Sequence, residues 1–198
     1  MSRNTVMAAV VALGPVFMTL AAVSAPRTSG LYVTAADYRN RRLTSESDCT
    51  SAAHKLELHD MLNKPYIDVT HGTDRRRYMK NEIFGFRSCE GIEYRFVGTR
   101  EYQILEARRL YIYVVQAPAR LGKDTAGGLN KISTYFFSVG ADGSVLPLTL
   151  ISLKKAFPEN HRFHDSLDAA FSLGGLEEYD GFHKMFRVNH LLEAADSR

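Results

Sequence analysis

Tryptophan is absent from the 198 residues, cysteine occurs only twice, and the formal net charge is no more than +3. Without Trp, the ten Tyr and eleven Phe read as strand and core aromatics rather than as a sugar-stacking platform. A charge of +3 leaves no strongly basic face of the kind nucleic-acid binders carry, so no nucleic-acid partner is expected. No Gly-x-Ser-x-Gly, His-Glu-x-x-His or Cys-x-x-Cys occurs, and Gly122-Lys123 lacks the upstream glycine of a phosphate-binding loop. The hydrolase, zinc-protease, redox and nucleotide motifs are therefore missing, and no cofactor is implied. Low-complexity tracts and internal repeats are missing too.

What is present suffices for one domain with a sizeable core: 45% of the residues are hydrophobic and 24% charged. Residues 1–24 read as a signal peptide, with Arg3 as a short basic start and an apolar run from Thr5 to Ala22. Small residues at Ala22-Val23-Ser24 favour cleavage between Ser24 and Ala25, ahead of Pro26. An uncleaved anchor is the alternative, weakened by Gly14-Pro15 inside a run barely long enough to span. With no Cys near the cleavage region, a lipid-anchored lipoprotein is not expected. Contact with the membrane is thus expected only through the transient signal peptide, and the mature chain, 25–198, is expected in the periplasm or outside the cell.

Two cysteines in an exported chain point to one disulfide, Cys49–Cys89, closing a loop of about 41 residues that the loop-entropy relation values at roughly 3–4 kcal/mol. Two separate buried thiols are the alternative. A Cys89–His71 catalytic pair is disfavoured by the same oxidising setting.

Short aromatic or β-branched runs separated by Gly-containing turns fill Tyr66 to Gln116 and predict an antiparallel meander. Leu31-Tyr-Val-Thr34 is an expected first strand, followed by a helical turn capped by Thr34 and broken at Asn40-Arg41-Arg42. Thr44 to Ser51 reads as a polar loop, and His54 to Leu58 as the opening of the sheet proper. In Glu93-Tyr94-Arg95-Phe96 the aromatics share one face and the charges the other. Leu110, Ile112 and Val114 back onto Tyr111, Tyr113 and Val115, the pattern of a central strand covered on both sides. Pro118 to Asn130 reads as a loop, and Ala141-Asp-Gly-Ser144 as the turn of a last hairpin.

From Thr149 the period becomes helical. One helix carries Leu150, Leu153 and Phe157 and stops at Pro158; a second, capped by Asn160, carries Phe163, Leu167 and Phe171. A third is predicted from Leu176 to about Ala194, with Leu176, Tyr179, Phe182 and Phe186 on one stripe. The fold class is α+β: an antiparallel β-meander over about 31–146, open or curled toward a partial barrel, followed by three C-terminal helices over about 149–195.

The sharpest chemical pattern is His161-x-x-His164-Asp165-x-x-Asp168, a helical ridge of two imidazoles and two carboxylates that could hold a divalent metal with His183 or His190. A solvated polar face opposite Phe163, Leu167 and Phe171 explains the same residues and is the reading adopted, with no metal expected. Arg75-Arg-Arg77, Arg41-Arg42 and Arg108-Arg109 are read as edge and turn charges rather than as a receptor for phosphates or an acidic partner.

Gly30-Leu-Tyr-Val-Thr with Asp37-Tyr38, Glu82-Ile-Phe-Gly-Phe-Arg87, Glu93-Tyr-Arg-Phe96, Glu101-Tyr-Gln-Ile-Leu105, Leu153-Lys-Lys-Ala-Phe-Pro158 and Phe182-His-Lys-Met-Phe186 together resemble a group of uncharacterised secreted proteins from Bacteroidetes-type bacteria. The resemblance spans nearly the whole mature chain, implies a Gram-negative envelope setting and carries over no catalytic residue. The sequence supports a non-enzymatic exported binding or structural module of unknown partner. The alternatives are a metal-dependent enzyme, a hydrolase using the His/Asp ridge, and a small carrier of apolar ligands.

Overall fold

In the computed structural model the described residues are 28–50, 54–59, 64–118, 131–172 and 174–197. The expected signal peptide and the expected loop from residue 119 onward lie outside them. In chain order the elements are β1 (Thr28–Tyr32), α1 (Ala35–Arg39), β2 (Thr44–Asp48), β3 (His54–Glu57), β4 (Tyr66–His71), β5 (Asp74–Met79), β6 (Gly85–Arg87), β7 (Glu93–Val97) and β8 (Arg100–Ala107). There follow β9 (Leu110–Pro118), β10 (Lys131–Val139), β11 (Leu146–Pro147), α2 (Leu150–Ala156), α3 (His161–Phe171), β12 (Tyr179–Asp180), β13 (Met185–Phe186) and α4 (Arg187–Asp196).

Strand β9 explains the architecture. Leu110, Ile112, Tyr111, Tyr113 and Val114 are all buried, so both of its faces need a cover. It sits inside an open eight-stranded antiparallel sheet of order β11-β10-β9-β8-β7-β6-β1-β2. On one face, Leu110, Ile112 and Phe137 meet Leu153 of α2, Phe163, Leu167 and Phe171 of α3, and Val188 and Leu192 of α4. Each fully buried side chain of this size is worth about 1.5–3 kcal/mol in removed apolar surface. Thr149 and Asn160 cap α2 and α3 as their side-chain oxygens accept from Ser152 N at 3.1 Å and Phe163 N at 3.0 Å.

The opposite face is aromatic: Tyr32, Tyr38, Phe84, Tyr102, Tyr111 and Tyr113 pack together beneath α1. Thr34 and Asp37 close a reciprocal capping box on that short helix. Toward the β1 end, Leu31, Phe86 and Phe96 are covered by Ile67 and Val69 of a separate three-stranded sheet, β3-β4-β5. Strands β6 and β7 approach so closely that a Cβ on Gly85 would stand 1.9 Å from the Tyr94 carbonyl oxygen; only glycine fits there.

Three expectations need correction. Thr44–Asp48 is strand β2 rather than loop: it is an edge strand paired to β1 through its backbone, and edge strands tolerate polar side chains. His54–Glu57 opens the small sheet, not the main one. The last helix begins at Arg187, not Leu176. Residues 176–186 instead form turns and the short β12–β13 hairpin, because Asp180 Oδ1 accepts from the backbone N–H groups of Phe182 and His183 and so satisfies them outside a helix. Phe182, placed on the expected core stripe, is 88% exposed.

Asn189, 0% exposed, holds α4 to the sheet. Its Oδ1 accepts from Leu110 N at 3.0 Å and its Nδ2 donates to Leu110 O at 2.8 Å and to Glu106. The register of β8 on β9 shifts between Ile104 and Glu106, and the side-chain amide serves Leu110 as a neighbouring strand would. The Cys49–Cys89 disulfide is present, with Cα atoms 5.6 Å apart.

Two stability outcomes follow. Asn189→Ala leaves the Leu110 backbone groups unpaired in the core and is expected to cost about 2–4 kcal/mol in urea unfolding. Reducing the disulfide is expected to lower stability by roughly 3–4 kcal/mol, read as the difference between unfolding curves with and without reductant.

Candidate functional site

The ridge is present on α3, but its members have separate employments. Asp168 accepts from Lys154 Nζ at 2.6 and 2.7 Å. His164 Nε2 lies 2.9 Å from the carbonyl oxygen of Phe157, to which it donates. His161 stands edge-on to His164 with ring centroids 5.9 Å apart, and Asp165 is exposed. Among the described residues, the ridge does not bring three ligand atoms within reach of one another. His183 and His190 do not cross to it.

They meet Asp180 instead. Asp180 ends β12, and its Oδ1 is fixed by the amides of Phe182 at 2.9 Å and His183 at 3.1 Å. Its Oδ2 accepts from His183 Nδ1 at 2.6 Å and lies 3.8 Å from His190 Nδ1. The two imidazoles stack with centroids 3.8 Å apart. The His183 hydrogen bond, chiefly, holds the Asp180 carboxyl down at about 2, so it is an anion at any ordinary pH. Lys184, in the left-handed region at φ 53°, turns the chain back into β13. The result is a corner of one carboxylate and two imidazoles beside Phe182, whose ring is 4.9 Å from that of His183. The helical spacing from Leu176 places both histidines on a helix, whereas the Asp-Gly pair at 180–181 is a turn signal.

Two further charged clusters lie on the sheets. Asp68, 1% exposed, accepts from Arg77 Nε at 2.9 Å, Arg75 at 2.7 Å and His59 Nε2 at 2.9 Å. Those bonds, Arg77's foremost, hold its carboxyl far below the usual range against the opposing effect of burial. Arg77 also lies 3.7 Å over the Tyr66 ring. Glu57 completes three potential ligands with His59 and Asp68, yet two guanidiniums already neutralise that carboxylate. On the main sheet, Glu93 accepts from Tyr32 at 2.8 Å, Tyr38 at 3.0 Å and Arg41. Arg41 reaches it from a left-handed backbone, φ 55°, passing 5.3 Å over the Tyr38 ring. The basic clusters therefore turn at least one guanidinium each toward a carboxylate of this chain: Arg42 to Asp37, Arg109 to Asp196, and Arg75 and Arg77 to Asp68. Cys89 is in the disulfide and has no thiol to offer His71.

Burial, followed by the Glu93 bond and charge, pushes the Tyr32 hydroxyl up to about 12 and raises Tyr38 as well. A surface groove of about 740 Å³ is lined by Arg109, Phe157, His161 and Asp196 among others. Among the described residues no helix is long and apolar enough to cross a membrane. Comparison with known protein families, curated sequences and solved structures returns no match.

Both clusters give pH signatures. Asp68 has a lowered native value, so its contribution is complete above the unfolded value near pH 4 and disappears as pH falls below it. Asp68→Asn is expected to cost about 2–3 kcal/mol at pH 7 and to flatten the acid limb of stability against pH. For Tyr32 the native value is raised, so stability is full below about pH 10 and declines as pH climbs from there toward the native value. Alkaline difference spectroscopy is expected to show tyrosines ionising late, and Glu93→Gln should bring Tyr32 and Tyr38 back toward pH 10.

Proposed function

We propose that this protein is an exported, disulfide-closed binding module of the bacterial envelope that acts by contact with a partner protein rather than by catalysis. The observation that carries the reading is Phe182, an aromatic 88% exposed at the tip of a tight turn, with Tyr179 of β12, 55% exposed, leading into that turn. The turn is held by both oxygens of Asp180, so the backbone that carries the ring has little freedom left to lose. Pre-ordered aromatics of this kind supply much of the energy in protein interfaces. The Cys49–Cys89 bridge fits an oxidising compartment and agrees with the leader-like residues 1–24. Side chains from the helices and from α1 fill both faces of the central sheet, which favours recognition at the surface over carriage of an enclosed apolar ligand.

The test has two arms, run in the organism that makes the protein. N-terminal sequencing of the recovered chain is expected to begin between Ala22 and Arg27; intact Met1 to Leu20 overturns export. A photo-crosslinking residue at position 182 is expected to trap one envelope protein that the same probe at exposed Ile151 does not. Phe182→Ala should change stability by no more than about 0.5 kcal/mol yet abolish that complex. Equal trapping at both positions, or at neither, overturns the binding reading.

A further inference from the structure

We propose that Asp180, His183 and His190 form a binding site for one divalent transition metal ion of the zinc class. This inference needs no partner protein and stands or falls apart from the binding reading. Three ligand atoms, one carboxylate oxygen and two imidazole nitrogens, already lie within 4.8 Å of one another. At metal–ligand lengths of about 2.0–2.2 Å, tetrahedral ligands stand about 3.3–3.6 Å apart. The observed Oδ2–Nδ1 separations of 2.6 Å for His183 and 3.8 Å for His190 bracket that spacing. Metal entry therefore requires one contact to widen and the other to shorten, with the stacked rings splaying about their own torsions.

The outer contacts also suit a ligand set. Asp180 Oδ1 is occupied by two backbone amides, which leaves Oδ2 aimed at the imidazoles, as second-layer hydrogen bonds do around metal-binding carboxylates. The carboxylate is ionised, and its acceptor-only oxygen makes His183 Nδ1 the donor. On binding, that proton moves to Nε2 and the metal takes its place, leaving the ring neutral. The nearby guanidinium of Arg187 is directed to Glu178 at 2.8 Å. Two nitrogens with one oxygen favour zinc, cobalt, nickel or copper over magnesium or calcium. Three protein ligands leave at least one position for solvent or for a group from another molecule.

The full chain, purified without an affinity tag and stripped by chelator, is titrated with zinc against a chromophoric competitor. One zinc per chain is expected, with magnesium and calcium failing to compete. His190→Ala and Asp180→Asn should each weaken binding at least about tenfold, while His161→Ala with Asp168→Asn on α3 leaves it unchanged. Melting curves of each metal-free variant establish that it is folded. X-ray absorption at the zinc edge of the wild type, expected to report two imidazoles, decides the matter if a variant does not fold. Absence of stoichiometric zinc binding, wild-type affinity in His190→Ala, loss of binding in the α3 variant, or a zinc edge without imidazole overturns the proposal.

Discussion

The side-chain amide of Asn189 is the contact on which the layered arrangement depends. A sheet and a helix bury apolar surface without direction, so hydrophobic packing alone lets α4 slide along the sheet. The amide removes that freedom by bonding both the N–H and the C=O of Leu110, at the start of β9. Glu106 adds a second anchor by accepting from Asn189 and from Phe186 N at 2.8 Å. Because Phe186 closes the β12–β13 hairpin, the same anchor fixes where that hairpin leaves the body. The position of Asp180, His183 and Phe182 is therefore inherited from a buried hydrogen-bond set on the sheet.

Among the described residues the buried charges, Asp37, Asp68 and Lys80, are paired within small local sets. Lys80, 1% exposed, bonds Glu101 at 2.9 Å and lies 5.4 Å from the Phe96 ring. Arg95 crosses the aromatic face to reach Tyr113 and the Gly143 carbonyl. Taking such charges from water is expensive, and their bonds chiefly offset that cost. What they add is direction: Lys80 ties the turn after β5 to β8, and Arg95 ties β7 to β9 and to the turn after β10. Glu93 likewise gathers β1, α1 and the chain after it onto β7 through three donors, Tyr32, Tyr38 and Arg41.

Much of this fold was legible because its signals are local. The capping box at Thr34, the caps at Thr149 and Asn160, the doubly apolar β9 and the α2 and α3 stripes all depend on residues within a turn or strand of one another. The disulfide could be read from compartment chemistry. The misreadings have a common cause. Leu176, Tyr179, Phe182 and Phe186 do recur at helical spacing, but Asp180 offers its carboxylate to the same backbone amides a helix would use, and Gly181 weakens the helical competitor. Strand β2 has no apolar alternation, since an edge strand is specified by its neighbour's backbone. The Asp180 corner was hidden for a related reason: its ligands approach only once the hairpin and α4 are both formed, a condition of tertiary structure that residue spacing does not carry.

The disulfide has a topological meaning beyond its energy. Cys49 follows β2 and Cys89 follows β6, 40 positions apart, so the three strands of the small sheet all lie within one covalent ring. The main sheet meets that ring at a clamped neck, where β1 holds β2 on one side and β6 on the other. Chain added or removed inside the ring changes its circumference without pulling on the neck, and ring entropy varies only slowly with length, about 0.6 kcal/mol per doubling. The loops of the small sheet can thus change length at the same neck, as long as Ile67 and Val69 still cover Leu31, Phe86 and Phe96 of the main sheet.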